Sequence, residues 1–382
     1  MTGHEPILGA SLEELRATRS SVKWRAYPPD VLPAWVAEMD ARPCAPVVEA
    51  VTAALRRGDT GYPWVRPFED AFTGFAKRRW GWAPEPGPVV ADVMIGIAEL
   101  LHVLTPTDGA VVLSPPCYDS FYGFVASVRR RLVTAPLSRR GGADHRLDPE
   151  ALDRAFADAG PGSAYVLCNP QNPTGTVHTA DELATLARIA GRRGVTVISD
   201  EIHAPLVQPG TTYTPYLAVP EAARGIAVVS ASKAWNLAGL KAAMVVPGPE
   251  ARDAVGALHE VVTHGANHLG VIAQTAAYAE GEAWLDQLLG EVADRRALLA
   301  RLLAERLPAV VPTPAQATYL AWLDCRGLGL ADPAEVFLER GRVAVSAGTL
   351  YDPAATGWVR FNLATSAEVV TEAVARMAAA VA

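Results

Sequence analysis

The chain contains 382 residues, enough for two or three folded units that each bury a core. Hydrophobic residues make up 50% of it and charged residues 20%, which is typical of a soluble globular protein and not of a disordered or fibrous one. The formal net charge of −7 argues against nucleic acid or an anionic membrane surface as the main partner. We therefore expect neither among its partners.

The cysteines point to a reducing compartment. Cys44, Cys117, Cys168 and Cys325 show no C-x-x-C spacing, so neither a zinc site nor a disulfide framework is indicated. The first residues lack the charged-then-apolar design of a signal peptide, and no apolar run reaches 18 residues. These features predict a cytoplasmic protein without a structural metal.

The first eighty residues predict three helices and an irregular arm. A short helix over 11–20 has Ser11 as its cap, an apolar segment with several prolines follows at 30–40, and further helices cover 46–57, ending at Gly58, and 66–80. The segment 30–40 is expected to pack on the main body as a strand or arm. Tyr62 and Trp64 lie in a Gly/Pro loop between the last two helices, where they serve either as packing anchors or as ligand contacts.

A repeated pattern of apolar strand, loop and helix follows. Apolar runs occur at 89–95, 110–113, 164–168, 195–198, 226–229 and 242–246. Helical stretches, notably 97–104 and 181–193, separate most of them, which predicts an α/β fold with a largely parallel sheet. The arginines at 129–131 and 192–193 are interpreted as solvated helix ends or loops, and 139–144 as a surface turn.

The pattern changes after about residue 280. A long helix over 284–306 leads to short strands at 319–323, 343–345 and 358–362 and to a final helix over 367–381. We predict three parts: an N-terminal arm (1–45) that joins the small domain, a large domain (46–280) and a small α+β domain (281–382).

Ligands of open parallel sheets bind beyond the carboxyl ends of the strands, so the residues after each apolar run are the ones to inspect. The first run leads to Gly96, which could open a helix whose backbone N–H groups bind a phosphate; the alternative is a plain strand–helix turn. The second leads through two prolines to Tyr118, a ring suited to stacking on a planar heterocycle or to ordinary packing.

Two further runs end in more specific signals. In Asn169-Pro170-Gln171-Asn172-Pro173-Thr174-Gly175, two Asn-Pro dipeptides constrain the backbone and present the Asn172 amide as a donor to a phenolate oxygen. Asp200 follows the next run, where a buried carboxylate needs a cation such as a protonated pyridine nitrogen. A metal site formed by Asp200, Glu201 and His203 is disfavoured because further ligands at suitable spacing are lacking.

The strand predicted over 226–229 ends in Ser230-Ala231-Ser232-Lys233. A lysine at the mouth of a sheet, with Lys241 as a flanking cation, has a lowered pKa and forms imines with aldehydes. Alone, this string would be read as a surface lysine in a Ser-rich turn. Together, an anion cradle, a stacking ring, an amide donor, a carboxylate and an imine-forming lysine at one sheet edge indicate pyridoxal 5′-phosphate.

These motifs resemble the fold type I pyridoxal-phosphate enzymes of the class I/II aminotransferase family, and within it the cystathionine β-lyase branch of C–S lyases. The resemblance includes the Asn-Pro-Gln-Asn-Pro-Thr-Gly string, Ser-Asp-Glu-Ile-His at 199–203 and Ser-Ala-Ser-Lys-Ala-Trp-Asn-Leu-Ala-Gly-Leu-Lys at 230–241. Matching segments at 31–40, 61–63, 318–324 and 359–362 extend it over nearly the whole chain. It implies a large domain with a mostly parallel sheet flanked by helices, plus a smaller α+β domain.

The resemblance also implies a role for individual residues. Lys233 would hold the cofactor as an imine and move the proton at Cα, Asp200 would pair with the pyridine nitrogen, and Arg360 would bind the substrate carboxylate near Ala37. The remaining cofactor contacts implied are ring contacts from Tyr118, Asn172 and His203, and phosphate contacts from the Ile97 and Ala98 amides, the Ser230 and Ser232 hydroxyls, Lys241, and Tyr62 of a neighbouring subunit. The active site would therefore be shared within a homodimer.

Some positions depart from the family pattern. Gln171 replaces a histidine found in many branch members, Thr176 an arginine found in some, and Lys241 the phosphate-binding arginine of transaminases. These differences concern substrate preference more than chemistry. His264 and His268 are interpreted as structural or pocket-lining residues.

The activity expected from the resemblance is β-elimination from L-cystathionine or another cysteine S-conjugate, which yields a thiol such as homocysteine, pyruvate and ammonia. An aminotransferase that uses the same residues is the first alternative. A regulatory binding protein on the same scaffold is the second.

Overall fold

The computed structural model describes residues 5–140 and 144–382. The predicted turn at 139–144 lies partly outside them. Within the described residues the helices are α1 Leu12–Thr18, α2 Val22–Arg25, α3 Ala45–Arg57, α4 Arg66–Trp80, α5 Val93–Leu104, α6 Ser120–Ser127, α7 Pro149–Ala159, α8 Ala180–Arg193, α9 Arg252–Gly256, α10 Glu260–Thr263, α11 His268–Glu280, α12 Glu282–Arg306, α13 Pro333–Glu339 and α14 Ala367–Ala379. The strands are β1 Leu32–Pro33, β2 Val89–Val90, β3 Ala110–Leu113, β4 Arg131–Thr134, β5 Ser138–Arg140, β6 Asp144–Arg146, β7 Ala164–Cys168, β8 Thr196–Asp200, β9 Ile226–Val229, β10 Ala243–Pro247, β11 Val311–Pro312, β12 Leu320–Asp324, β13 Val343–Ala344, β14 Ser346–Ala347 and β15 Trp358–Asn362.

A seven-stranded sheet in the order β2-β10-β9-β8-β7-β3-β4 forms the centre of the molecule. The pairs β9–β8, β8–β7, β7–β3 and β3–β4 are parallel, whereas β10 runs antiparallel to both of its neighbours. The inner strands are buried along their length because helices cover both faces, which explains their continuous apolar runs. Their carboxyl ends meet at one edge, where Cys168 pairs with Asp200 and Asp200 with Val228.

A second, four-stranded antiparallel sheet in the order β11-β12-β15-β14 forms in the last third of the chain. It packs with α12 and α14 into the same large apolar core that contains the aromatic side chains of α4. The N-terminal segment joins this part, because β1 pairs in parallel with β13 and the Asp40 amide donates to the Ala364 carbonyl. We propose on this basis that the three-part division at 45/46 and 280/281 describes the domains.

Most predicted elements are confirmed. Ser11 caps α1, α3 ends at Gly58 in the left-handed conformation, and α4, β3, β7, β9 and β15 have the predicted bounds to within one residue. The predicted long helix and final helix correspond to α12 and α14. Among the described residues, no helix has the length and apolar character needed to cross a membrane.

The predicted strand at 89–95 is wrong beyond Val90. α5 begins at Val93 because the Asp92 side chain caps it by accepting a hydrogen bond from the Ile95 amide at 2.7 Å. Gly96 therefore lies inside the helix and does not open it. A Cβ at Gly96 would lie 2.9 Å from the Val90 side chain, so the glycine allows the helix to pack closely on the sheet.

Other elements were missed or placed differently. The interpretation of the arginines at 129–131 as helix ends or loops is wrong for Arg131, which begins β4. The prediction also lacked α6, α7 and α11. β8 extends through Asp200, so this carboxylate belongs to the last residue of the strand and its backbone is held by the sheet.

Candidate active site

A cavity of about 390 Å³ opens at the edge where the parallel strands end. Its lining comes from the N-terminal segment, the start of α5, the loops after β3, β7, β8 and β9, and the second sheet. The lining residues include Trp35, Val36, Ala37, Asp92, Val93, Met94, Tyr118, Asp119, Cys168, Asn172, Asp200, His203, Ser232, Lys233, Lys241, Leu350, Tyr351 and Arg360. The volume lies in the range of small-molecule pockets, about 300–1,000 Å³.

Lys233 lies in the turn after β9, and its Nζ donates to the Ala37 carbonyl oxygen at 2.9 Å. Burial lowers the pKa of the lysine to about 8, and the Arg360 charge acts in the same direction while the Asp200 carboxylate opposes it. Roughly a fifth of such an amine is neutral at about pH 7.4, compared with about one part in a thousand for an exposed lysine. The side chain can therefore act as a nucleophile toward an aldehyde and as a base.

Asp200 is buried at the end of β8 and lines the same cavity. Burial raises the pKa of this carboxyl to about 6, whereas the Ile202 amide, which donates to Oδ1 at 3.1 Å, and the Lys233 charge lower it. Because the carboxylate is costly to bury unpaired, a cationic ligand group beside it would be stabilised.

Asn172 and Arg360 meet at one end of the cavity. The guanidinium donates from Nη1 to the Asn172 side-chain oxygen at 3.2 Å and from Nη2 to the Trp35 carbonyl at 2.7 Å. It also lies over the Tyr351 ring, with Cζ 4.8 Å from the ring centroid. Nε is buried and finds no hydrogen-bond acceptor among the described residues, so one donor of this guanidinium is unsatisfied.

Tyr118 and His203 contribute rings to the lining. Tyr118 packs edge-on against Phe121 at a centroid distance of 5.4 Å, and its hydroxyl has a pKa raised by burial. Burial lowers the pKa of His203 to about 3, so the imidazole is neutral. Its Nδ1 is also buried without a hydrogen-bond partner in the described structure.

The start of α5 lies at the cavity. The first N–H groups of a helix have no intrahelical acceptor, and Val93 and Met94, the first two residues of α5, line the cavity, whereas the Ile95 amide is bound by Asp92. The amides of Ile97 and Ala98, for which phosphate contacts were predicted, do not lie at the helix start. Both residues lie in the second turn, where their N–H groups bond within the helix, and the Ile97 side chain is fully buried.

The turn after β9 contributes one of its two predicted serines. Ser232 lines the cavity. Ser230 does not, because its hydroxyl faces the interior, 2.8 Å from the Ala242 carbonyl and 3.1 Å from the Gln274 side-chain oxygen. The phosphate contact of Ser230 stays a prediction that this side-chain direction does not favour. Lys241 lies at the rim and forms an ion pair with Asp92 at 2.6 Å, which ties it to the start of α5.

Tyr62 lies outside this cavity. Its side chain is 95% exposed and, together with Trp64 and His264, lines a separate surface depression. His268 pairs with Asp59 at 3.2 Å and also lies away from the cavity. No group of three or more metal-ligating side chains occurs among the described residues.

Several lining residues were not predicted from the sequence. Asp92 lies within the apolar run 89–95, for which the sequence analysis predicts a strand. Trp35 acts through its backbone carbonyl, and Tyr351 is nine residues from Arg360 on another segment. A polar residue that interrupts an apolar run, as Asp92 does, is a helix-cap signal that could have been found.

Comparison with known proteins shows the family. Residues 91–377 match the model of aminotransferase class I and II. The chain belongs to this family. A Mycobacterium tuberculosis protein with a provisional cystathionine β-lyase name is 47% identical over 97% of both chains, and cystathionine β-lyase of Corynebacterium glutamicum is 36% identical over 96% of this chain and 98% of its own.

Solved structures agree with this assignment. The pyridoxal-phosphate-bound C–S lyase of Staphylococcus hominis has a TM-score of 0.88 and 27% identity, covering 96% of this chain and 97% of its own. Aspartate aminotransferase of Thermus thermophilus has a lower TM-score of 0.79 at 25% identity, over 90% of each chain. The predicted family and the fold type I α/β architecture are confirmed.

Proposed function

We propose that this protein is a pyridoxal-phosphate-dependent C–S β-lyase. It cleaves L-cystathionine or a related cysteine S-conjugate to a thiol, pyruvate and ammonia, with homocysteine as the thiol from cystathionine. The proposal depends on one observation: a single cavity is lined by Lys233, whose pKa is lowered, by the buried carboxylate of Asp200 and by Arg360, whose buried Nε has no acceptor. Relatives between 33% and 47% identical over nearly the whole chain bear cystathionine β-lyase names, which favours the lyase over the aminotransferase.

The cavity fits pyridoxal phosphate. Lys233 would hold the aldehyde carbon, Asp200 the pyridine nitrogen, and Asn172 the phenolate oxygen, with Tyr118 and the neutral His203 beside the ring. The N–H groups of Val93 and Met94, the Ser232 hydroxyl and the Lys241 ammonium, which Asp92 positions, would hold the phosphate. The N–H groups at the start of α5 lack intrahelical acceptors, so an anion such as the phosphate would be stabilised there. The carboxylate of the buried Asp200 would be stabilised by a cation such as the pyridine nitrogen.

Bound pyridoxal phosphate supplies an electron sink that stabilises negative charge at the substrate Cα. Lys233 removes the Cα proton, a role suited to an amine whose pKa is about 8. The carboxylate of Asp200 preserves the positive charge that the sink requires. The C–S bond breaks as the thiolate leaves, and water completes the release of pyruvate and ammonia.

Arg360 binds the substrate carboxylate. Its guanidinium is fixed by Asn172, the Trp35 carbonyl and the Tyr351 ring, and Nε is free to donate. A fixed planar group can form two parallel hydrogen bonds to a carboxylate, which orients the substrate relative to Lys233. Lysine cannot reproduce this geometry.

We also propose that the protein acts as a homodimer in which Tyr62 reaches the phosphate site of the other subunit. A tyrosine that is 95% exposed beside a 75% exposed tryptophan supports a contact surface there. The cytoplasmic location remains a prediction.

The test is a panel of S-substituted cysteines, including L-cystathionine, incubated with purified protein and pyridoxal phosphate. The proposal requires release of thiol and pyruvate in equal amounts when no 2-oxo acid acceptor is added. A strict requirement for a 2-oxo acid acceptor would support the aminotransferase instead. A protein that binds the cofactor but turns over neither kind of substrate would support the regulatory alternative.

A further inference from the structure

The segment from Trp35 to Met39, which we call the carbonyl strip, supplies acceptors to both cationic residues of the site. The Trp35 carbonyl accepts from Arg360 Nη2 at 2.7 Å, and the Ala37 carbonyl accepts from Lys233 Nζ at 2.9 Å. The carbonyl strip therefore lies between the residue that moves the proton and the residue that binds the substrate carboxylate. Its position affects both.

The carbonyl strip does not form backbone hydrogen bonds as part of a β-strand, because β1 ends at Pro33. Side chains hold it instead. From the second sheet, the Asn362 amide donates to the Val36 and Glu38 carbonyls at 2.7 and 2.6 Å. From the other side, Asn236 forms a reciprocal pair with Met39: its Oδ1 accepts from the Met39 amide and its Nδ2 donates to the Met39 carbonyl, both at 2.9 Å.

Asn236 is fixed relative to Lys233. It lies three residues later in the same turn, which is closed by hydrogen bonds from the Trp235 amide to the Ala231 carbonyl and from the Leu237 amide to the Ser232 carbonyl. Its φ of +57° is a left-handed conformation that asparagine tolerates better than most residues. The side-chain amide thus acts like the peptide group of an adjacent strand, at a fixed distance from the lysine.

We propose that Asn236 is a positioning residue that holds the carbonyl strip in register with the Lys233 turn, so that the Ala37 carbonyl meets the lysine and the Trp35 carbonyl orients Arg360. This role rests on the proposed lyase function for its kinetic consequence, but not for its structural one. Only an amide provides both the donor and the acceptor that Met39 requires. The substitution Asn236→Asp would place a carboxylate oxygen opposite the Met39 carbonyl, where neither group can donate.

Three variants distinguish the effect of the Asn236 hydrogen bonds from the effects of side-chain shape and backbone strain. Asn236→Asp keeps the shape and loses the donor, Asn236→Gly keeps the left-handed backbone and loses both hydrogen bonds, and Asn236→Ala adds strain to that loss. The matched control is Phe156→Leu in α7, which reduces packing in a core cluster away from the carbonyl strip. Thermal unfolding of all four proteins shows that each folds and allows comparison at similar stability.

The first readout is steady-state cleavage of an S-substituted cysteine by the holoenzyme. We expect kcat/KM to fall about tenfold or more in the three Asn236 variants, on the scale of a hydrogen bond to a positioned group, and to change less than about threefold in the control. A wild-type kcat/KM in Asn236→Asp would overturn the proposal, because shape alone would then suffice. A wild-type value in Asn236→Gly would do the same, because only the backbone conformation would matter.

The second readout does not depend on turnover. Trace acetylation of the cofactor-free full-length chain across pH, followed by mass spectrometry, gives the titration of Lys233, with the exposed Lys77 as an internal reference. Loss of the Ala37 acceptor disfavours the ammonium form, so the apparent pKa of Lys233 should fall by roughly half a pH unit or more in the Asn236 variants. An unchanged Lys233 titration in all three variants would contradict the proposal even if activity were lost. If the wild type cleaved no cysteine conjugate, the lyase proposal would fail while this readout still tested Asn236.

Discussion

Replacing Arg360 with lysine keeps the positive charge but removes the planar guanidinium. The arginine is oriented by Asn172 at 3.2 Å, by the Trp35 carbonyl at 2.7 Å and by the Tyr351 ring at 4.8 Å. An ammonium group at the same place can form one of the two carboxylate hydrogen bonds and loses the stacking. One hydrogen bond to a charged group contributes about 2 kcal/mol, so kcat/KM should fall roughly 30-fold.

The matched control for this change is Arg295→Lys. Arg295 is partly buried and, like Arg360, donates to backbone oxygen, at the Thr365 and Leu8 carbonyls, but it does not line the cavity. The assay is initial-rate thiol release from a single S-substituted cysteine, with the cofactor saturating. A kcat/KM for Arg360→Lys within about twofold of the wild type would refute the reasoning, as would an equal loss in Arg295→Lys.

Four further predictions concern the cofactor and stability. Asp200→Asn should bind pyridoxal phosphate, as seen by visible absorbance, but lose about 10²-fold or more in kcat, since about 3 kcal/mol of charge pairing is removed; unchanged kcat would exclude the assigned role. Tyr62→Phe should weaken cofactor binding about tenfold in equilibrium dialysis if the partner's phosphate uses that hydroxyl, and unchanged affinity would argue against it. Because the pKa of Lys233 is lowered to about 8, the rate of cofactor reloading measured by stopped-flow should rise with pH and level off above about 8; a rise that continued to pH 10 would indicate an unperturbed lysine. Asp40→Asn should lower the free energy of unfolding in urea by about 3–5 kcal/mol, because it leaves the buried Lys23 without the carboxylate that lies 2.8 Å away; a change below about 1 kcal/mol would contradict this.

The sheet edge was predictable because buried strands have a simple sequence signature. Continuous apolar runs marked β3, β7, β8 and β9, and the polar residues that follow them line one cavity, as parallel pairing requires. Asn172, Asp200 and Lys233 could therefore be placed together from the sequence. The match of their motifs to a family then added Arg360 and Tyr62, which lie on segments that strand patterns do not connect to the sheet.

The errors had local causes. Apolar residues at 93–95 suit a strand as well as a helix, and only the Asp92 cap decides between them. The cap starts the helix one turn before the Ile97 and Ala98 amides that the resemblance implied as phosphate contacts. The role of Ser230 was implied by the family resemblance, but the direction of its side chain depends on Gln274 from α11, a helix that the prediction lacked. The backbone acceptors at Trp35 and Ala37 have no signature in residue type.

The most direct test of the central claim is the identity of the lysine that carries the cofactor. The sequence contains only four lysines, Lys23, Lys77, Lys233 and Lys241, so the assignment is unambiguous. Borohydride reduction of the protein loaded with pyridoxal phosphate, followed by peptide mass spectrometry, should place a single pyridoxyl-phosphate modification on Lys233 at close to one per chain. Modification chiefly at Lys241 or another lysine, or none at all with the cofactor saturating, would contradict the account.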